Sequence, residues 1–283
     1  MVDNGHQCGG GGYGRCMLDR AWGLGRSLAM YHAIPGRHRR MAQFYGAFLG
    51  RGDLGFDIGA HVGSRVRAWR RIGARVIAVE PQPDCLRVLR ILYGRSNDVT
   101  IVPKAVGAQR GQARLAVSTR TPTVSSMAPG WIDEVTVDPR FSTVRWDHSV
   151  EVEVTTLDDL ITEYGRPAFC KIDVEGFEKD VLSGLSRPLP AMSFEYLPQA
   201  HDDAIAVLDR VRRLGDYTYN YSPIETMAFA SRDWLDSDGL VRELERRRPL
   251  GRSGDVYARL TSGGKSLQEA ADRLIAPNTG AGS

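Results

Sequence analysis

Cysteine and lysine are both scarce in this chain. Its four cysteines (Cys8, Cys16, Cys85 and Cys170) among 283 residues form no Cys-x-x-Cys pair. That spacing argues against a zinc site and against a secreted disulfide framework, and it fits a reducing compartment. Only Lys104, Lys171, Lys179 and Lys265 are lysine, so 33 of the 37 basic residues are arginine. With a net charge of only +3, this skew reads as coding bias, and no nucleic-acid partner is expected. Long apolar runs are missing too: charge-free stretches such as 41–50 are about half a membrane span. No charged n-region followed by an apolar stretch opens the sequence, so the expected location is the cytoplasm. Internal repeats are absent as well. What remains, 42% hydrophobic and 25% charged residues, is ordinary for a globular chain long enough to bury a core.

Residues 1–20 carry the run Gly9–Gly12 and little that could enter a core, so they read as a flexible tail. A helical segment is expected over 21–50, where Met41, Phe44, Tyr45, Phe48 and Leu49 recur at helical spacing. The basic cluster before them (Arg37, His38, Arg39, Arg40) reads as a solvated helix start, with contact to a membrane surface or an anionic substrate as the alternative. Over 51–262 the apolar pattern alternates between strand and helix. Leu54–Ile58, Arg75–Val79 and Val99–Val102 read as strands, with helices over Ser64–Ile72 and 83–92 between them. That rhythm predicts an α/β fold with a parallel, doubly wound sheet. Alternating residues at 113–117 and 150–154 predict an inserted antiparallel element, and the irregular stretch 119–149 reads as a lid over an acceptor. Thr156 is placed to cap a helix that starts at Leu157. Further strands are expected at 169–174, 192–196, 218–221, 227–230 and 255–260, with helices at 177–185, 202–214 and 240–248. Residues 263–283 read as a second tail, with a short helix near 267–275.

Three motifs carry chemistry. In Asp57-Ile58-Gly59-Ala60-His61-Val62-Gly63, two glycines permit a sharp turn between the first strand and its helix. Free N–H groups at the helix start suit an anionic ligand group. A dinucleotide fingerprint would need a glycine where His61 stands, which disfavours a pyrophosphate. Glu80-Pro81 ends the second strand, where an acid can accept both ribose hydroxyls of an adenosine. In Lys171-Ile172-Asp173-Val174-Glu175-Gly176, Asp173 falls at the carboxyl end of a strand, facing the crevice where ligands of open α/β sheets sit.

DIGAHVG, VEP, KAVG, TTLDDL and KIDVEGFE occur in an order and spacing that resemble the FkbM-type methyltransferases over residues 41–197. The resemblance implies a seven-stranded Rossmann-like methyltransferase sheet, mostly parallel with an antiparallel closing strand. It also implies an S-adenosylmethionine (SAM)-dependent enzyme that methylates hydroxyl oxygens of small molecules or sugars. Carried over residue by residue, it puts Asp57, Gly59, Ala60, His61 and Gly63 around the methionine part of SAM. Glu80 and Pro81 fall at the ribose, and Lys104 and Ala105 near the adenine. Position 61 departs from the pattern, with His where such turns frequently carry Asn.

Methyl transfer to oxygen needs in-line positioning and a group to take the hydroxyl proton. Asp173 and Glu195, at the ends of adjacent strands, are the expected catalytic carboxylates, with His148 and His201 as weaker candidates. The two carboxylates could instead hold Mg²⁺. Two other readings stay open at this point: a non-catalytic SAM- or nucleoside-binding protein, and a nicotinamide-dependent oxidoreductase. The acceptor and the oligomeric state are not legible in the sequence.

Overall fold

The computed structural model describes residues 13–136, 143–224 and 226–261. Two helices, α1 (Tyr13–His32) and α2 (Arg37–Tyr45), precede the first strand. The alternating half follows: β1 (Leu54–Ile58), α3 (Ser64–Ile72), β2 (Arg75–Val79), α4 (Pro83–Tyr93) and β3 (Val99–Val102). Next come β4 (Ala105–Val106), β5 (Gly111–Val117), α5 (Pro129–Thr136), β6 (His148–Thr155) and α6 (Leu157–Tyr164). The rest is β7 (Phe169–Ile172), α7 (Glu178–Ser183), β8 (Ala191–Tyr196), α8 (His201–Leu214), β9 (Tyr217–Pro223), α9 (Ser237–Arg247) and β10 (Gly254–Leu260).

Seven strands form one sheet in the order β3-β2-β1-β7-β8-β10-β9. The first five run parallel, and β10 runs antiparallel to both of its neighbours. The order reverses beside β1, so the carboxyl ends of β1 and β7 flank the crevice where open α/β sheets take ligands. The expected insertion is a second sheet, β4-β6-β5, in which β5 and β6 are antiparallel.

Side chains of a strand alternate between faces, and this sorts the core. Phe56 and Ile58 of β1, Cys170 and Ile172 of β7, and Phe194 of β8 enter one apolar layer with α6, α7 and α8. The opposite face carries an aromatic cluster under α2 and α3. There Phe169 stacks on Phe48 (ring centroids 4.7 Å apart) and meets Trp69 and Tyr45 at steep angles. Gly55 makes room for it, since a Cβ there would lie 2.8 Å from the Trp69 ring. Thr156 forms a full capping box with Asp159 at the start of α6.

Four expectations change. The helix α1 starts at Tyr13, inside the stretch expected as a tail, whereas residues 1–12 lie outside the described residues. Segment 119–149 is not irregular throughout: it holds the 3₁₀ turn Pro122–Val124 and α5, and β6 begins at His148. Residues 227–230 are not a strand: Met227 and Phe229 dock on the aromatic cluster, and the Ala230 N–H donates to the Tyr221 carbonyl of the edge strand β9 at 2.7 Å without forming a ladder. Finally, α2 ends at Tyr45 and the chain turns, with the Phe48 N–H donating to the Tyr45 carbonyl at 2.9 Å. The C-terminal tail, with its expected helix at 267–275, lies outside the described residues.

Phe169 is fully buried between the sheet and α2. Phe169→Ala is expected to cost about 3–5 kcal/mol, read from urea unfolding followed by circular dichroism. A loss below about 1 kcal/mol would show that the aromatic cluster collapses around the cavity instead.

Candidate functional site

Strand register brings a row of polar groups onto the aromatic face of the sheet. Asp57 pairs with Lys171, Lys171 with Ser193, and Glu195 with Asp255. Lys171 is fully buried, yet its Nζ donates to Asp255 Oδ1 at 2.8 Å and lies 3.2 Å from Asp173 Oδ2. Ser193, on the strand between, is small enough to leave that path open. Burial alone would lower the lysine's pKa, but Asp173 and Asp255 outweigh it and raise it. Burial would likewise raise the Asp173 carboxyl, but Lys171 and Arg65 (3.4 Å away) hold it below the usual carboxylate range. Asp173 is therefore a fixed anion at the end of β7.

The β1–α3 turn lies directly against that anion. Gly59 has φ +81°, and a Cβ on it would sit 1.9 Å from the Asp173 carbonyl oxygen. Two residues on, His61 also takes a left-handed conformation (φ 49°), which aims its N–H at Glu80 Oε2, 2.8 Å away. The Gln82 N–H donates to the other Glu80 oxygen, also at 2.8 Å. Burial pushes the Glu80 carboxyl up to about 7 even against those two donors. Asp57 is buried with neither carboxylate oxygen hydrogen-bonded to protein, and burial lifts it to about 6. Burial lowers the His61 imidazole to about 4, so the ring is neutral at physiological pH, and its Nε2 is buried without a hydrogen-bond partner.

Gly59, His61, Arg65, Glu80, Gln82 and Asp173 border a cleft of about 840 Å³. Of the residues read from the sequence, Gly59, Ala60, His61, Glu80 and Pro81 enter its wall from β1 and β2, and Lys104 and Ala105 enter from the end of β3. Asp57 and Gly63 do not line it; Gly63 packs on Tyr93, whose hydroxyl donates to the Gly63 carbonyl at 3.0 Å. Sequence reasoning gave no role to Tyr31 of α1 or to Thr123, Ser125 and Met127, all of which line this cleft. The segment expected to cover only an acceptor thus borders the first cleft, and its Trp131 borders a second one of about 700 Å³.

The two clefts adjoin at acidic residues. Asp173 and Glu175 line the first and Glu195 lines the second, and the three bring carboxylate oxygens within 4.8 Å of one another. Burial comes first in raising both Glu175 and Glu195 well above the usual carboxylate range; the charge of Glu195 and then Asp173 adds to it at Glu175, and that of Asp173 and then Glu178 at Glu195. One Glu195 oxygen has no hydrogen-bond partner. Glu178 accepts the Val174 N–H at 3.1 Å, a structural contact, although it also faces the second cleft. The two candidate histidines line neither cleft. His201 is buried with Nδ1 3.2 Å from the Tyr196 hydroxyl, and His148 lies at the start of β6 beside Asp147, 3.1 Å away. Arg65 and Asp255 could have been found only from the fold, since Asp255 is 84 residues from the lysine it pairs with.

Comparison with known proteins gives a family match: the methyltransferase FkbM domain matches residues 57–221. No match was found among curated proteins. Among solved structures, precorrin-6Y C5,15-methyltransferase from Geobacter metallireducens is 10% identical, with TM-score 0.42 over 78% of this chain and 87% of that one. An O-methyltransferase from Bacillus cereus in complex with SAH is 13% identical, with TM-score 0.40 over 88% of this chain and 90% of that one.

Two substitutions test the site's frame. Gly59→Ala places a methyl against the Asp173 carbonyl in a backbone region that costs alanine about 1–3 kcal/mol, so stability and cofactor affinity should fall together. Lys171→Ala leaves Asp255 without its lysine and Asp173 with Arg65 alone, and is expected to destabilise by roughly 3–5 kcal/mol. Differential scanning calorimetry reads both; unchanged melting for either variant would refute the packing described.

Proposed function

This chain belongs to the FkbM methyltransferase family, and from that footing we propose that it transfers a methyl group from SAM to a hydroxyl oxygen of a small molecule or carbohydrate. The observation that carries the oxygen acceptor is the carboxylate trio Asp173, Glu175 and Glu195, set where the first cleft adjoins the second. The residues present suit SAM in the first cleft. Glu80 keeps lone pairs for the ribose hydroxyls after accepting two backbone N–H groups. Gly59 and His61 would border the methionine part, and Lys104 and Ala105 the adenine end. When bound, SAM supplies a methyl group on a positively charged sulfur.

The chain's own groups divide the remaining work. Asp173, locked as an anion by Lys171 and Arg65, orients the acceptor and is a weak proton acceptor. Glu195, with a raised pKa and an unpartnered oxygen, is the stronger base and would take the proton of the acceptor hydroxyl that receives the methyl group. The raised pKa belongs to the ligand-free cleft, and the positive charge of SAM favours the ionised form. Of the two carboxylates expected from the sequence, this division gives Asp173 the orienting role and Glu195 the proton. The same trio supports a second use, as oxygen ligands for Mg²⁺.

Three measurements test the reading, with SAH release from a panel of hydroxylated acceptors as the assay. Glu195→Gln should lower kcat by roughly 10²–10⁴-fold while SAH affinity by calorimetry stays near that of the parent. If no acceptor yields SAH although SAM binds, the chain is a binding protein instead. EDTA treatment separates the uses of the trio: turnover lost and restored by Mg²⁺ assigns it to a cation, and unchanged turnover assigns it to the hydroxyl. Finally, the ribose hydroxyls need Glu80 ionised, and its carboxyl titrates near 7, so binding should weaken as pH falls. SAH affinity should be roughly tenfold lower at pH 6 than at pH 8 in the parent, and much flatter with pH in Glu80→Gln. Equal pH dependence in both proteins would remove Glu80 from the ribose site.

A further inference from the structure

The helix α1 presents an apolar stripe to solvent. Trp22 is 65% exposed and Met30 39%, and Ile34, just past the helix end, is 42% exposed. With exposed Ala29 and Ala33, the spacing 22, 29, 30, 33 keeps these residues on one side of a helix, with exposed Arg26 in their midst. Large apolar side chains exposed this way, close together, mark a contact surface more often than chance exposure.

Beyond Asp19, which lies one helical turn before Trp22, the charge around the stripe is basic. Between Asp19 and Asp53 the chain has six arginines (Arg20, Arg26, Arg37, Arg39, Arg40 and Arg51) and no acidic residue. Arg26, Arg39 and Arg40 are exposed. Helix α4, which packs against α1, exposes Ile91 (82%) and Leu92, with Arg90 and Arg95 also exposed. A basic cluster alone is only a solvated helix start, as the sequence suggested. A basic cluster beside exposed tryptophan, methionine and isoleucine is the chemistry of a bilayer interface, where apolar groups reach the acyl boundary and arginines meet headgroups. Self-association fits poorly, because pairing this face with its own copy across a two-fold axis brings arginine towards arginine.

We propose that α1 and the turn after it, through Trp22, Met30, Ile34, Arg26, Arg39 and Arg40, dock this protein on an anionic phospholipid surface. Tyr31 lies between Met30 and Ile34 in the chain and lines the first cleft, so the docked face lies beside that cleft's wall.

Co-sedimentation of the full chain with vesicles tests this directly. Binding is expected to phosphatidylcholine vesicles containing phosphatidylglycerol, to be weak with phosphatidylcholine alone, and to fall as NaCl is raised from 0.1 to 0.5 M. Arg39→Ala with Arg40→Ala should weaken partitioning roughly 30-fold, each basic residue near an anionic surface being worth about fivefold. Met30→Glu with Ile34→Glu should abolish it, with circular dichroism and the melting temperature as the check on folding. Should that double variant fail to fold, Trp22→Ala, at a position two-thirds exposed, reads the same contact. No sedimentation with phosphatidylglycerol vesicles would overturn the proposal, as would binding unaltered in the folded apolar variants. A concentration-dependent dimer without lipid that Met30→Glu dissolves would also overturn it, by making the face a self-interface.

Discussion

The ammonium of Lys171, fully buried and shared between Asp173 and Asp255, is the interaction on which the site's arrangement rests. A buried charge is tolerated only when it is paired and hydrogen-bonded. Here the pairing also has direction: the lysine stands on β7 and reaches across β8 to β10, so three strands must hold their register for either carboxylate to be balanced. One outcome of that balance is chemical. Asp173 stays ionised, and its charge then presses on Glu175 and Glu195, whose own burial already disfavours ionisation. The Lys171 amine, with Arg65 beside it, thus separates one carboxylate with a low pKa from two with high ones in the same few ångströms, which is how neighbouring acids come to have different roles.

Close backbone approach does the rest. With no Cβ at Gly59, the β1–α3 turn can touch the end of β7, joining the two motifs most distinctive in the sequence, DIGAHVG and KIDVEG. The left-handed conformation of His61 then ties that turn to Glu80 at the end of β2. Three parallel strands therefore contribute their carboxyl ends to one cleft through backbone contacts as much as through side chains.

Much of this was legible in the sequence because local signals and burial agreed. The bounds of β1, α3, β2 and β3 follow from apolar runs closed by Gly, Asp or Pro, and the cofactor-side motifs sit at strand ends where short-range pattern places them. What was not legible depends on partners distant in the chain. Residues 227–230 alternate like a strand, and whether such a run pairs at an edge or docks on aromatic rings is decided by the surrounding cluster. Tyr31 enters the cleft from a helix that carries no motif, and Thr123, Ser125 and Met127 enter from a stretch without periodicity. His201 looked available for chemistry until the fold placed it against Tyr196.

Asp255 lies on β10, the last strand of the described residues in chain order, which sits between β8 and β9. During synthesis the ribosome releases β1, β2 and β7 well before β10 emerges, so a nascent chain holds Lys171 and Asp173 without the second carboxylate. The electrostatic arrangement of the cleft is then complete only after that strand has slotted in. A growing or truncated chain could form the parallel half of the sheet and still lack a correctly charged centre, which ties competence to the arrival of the final strand.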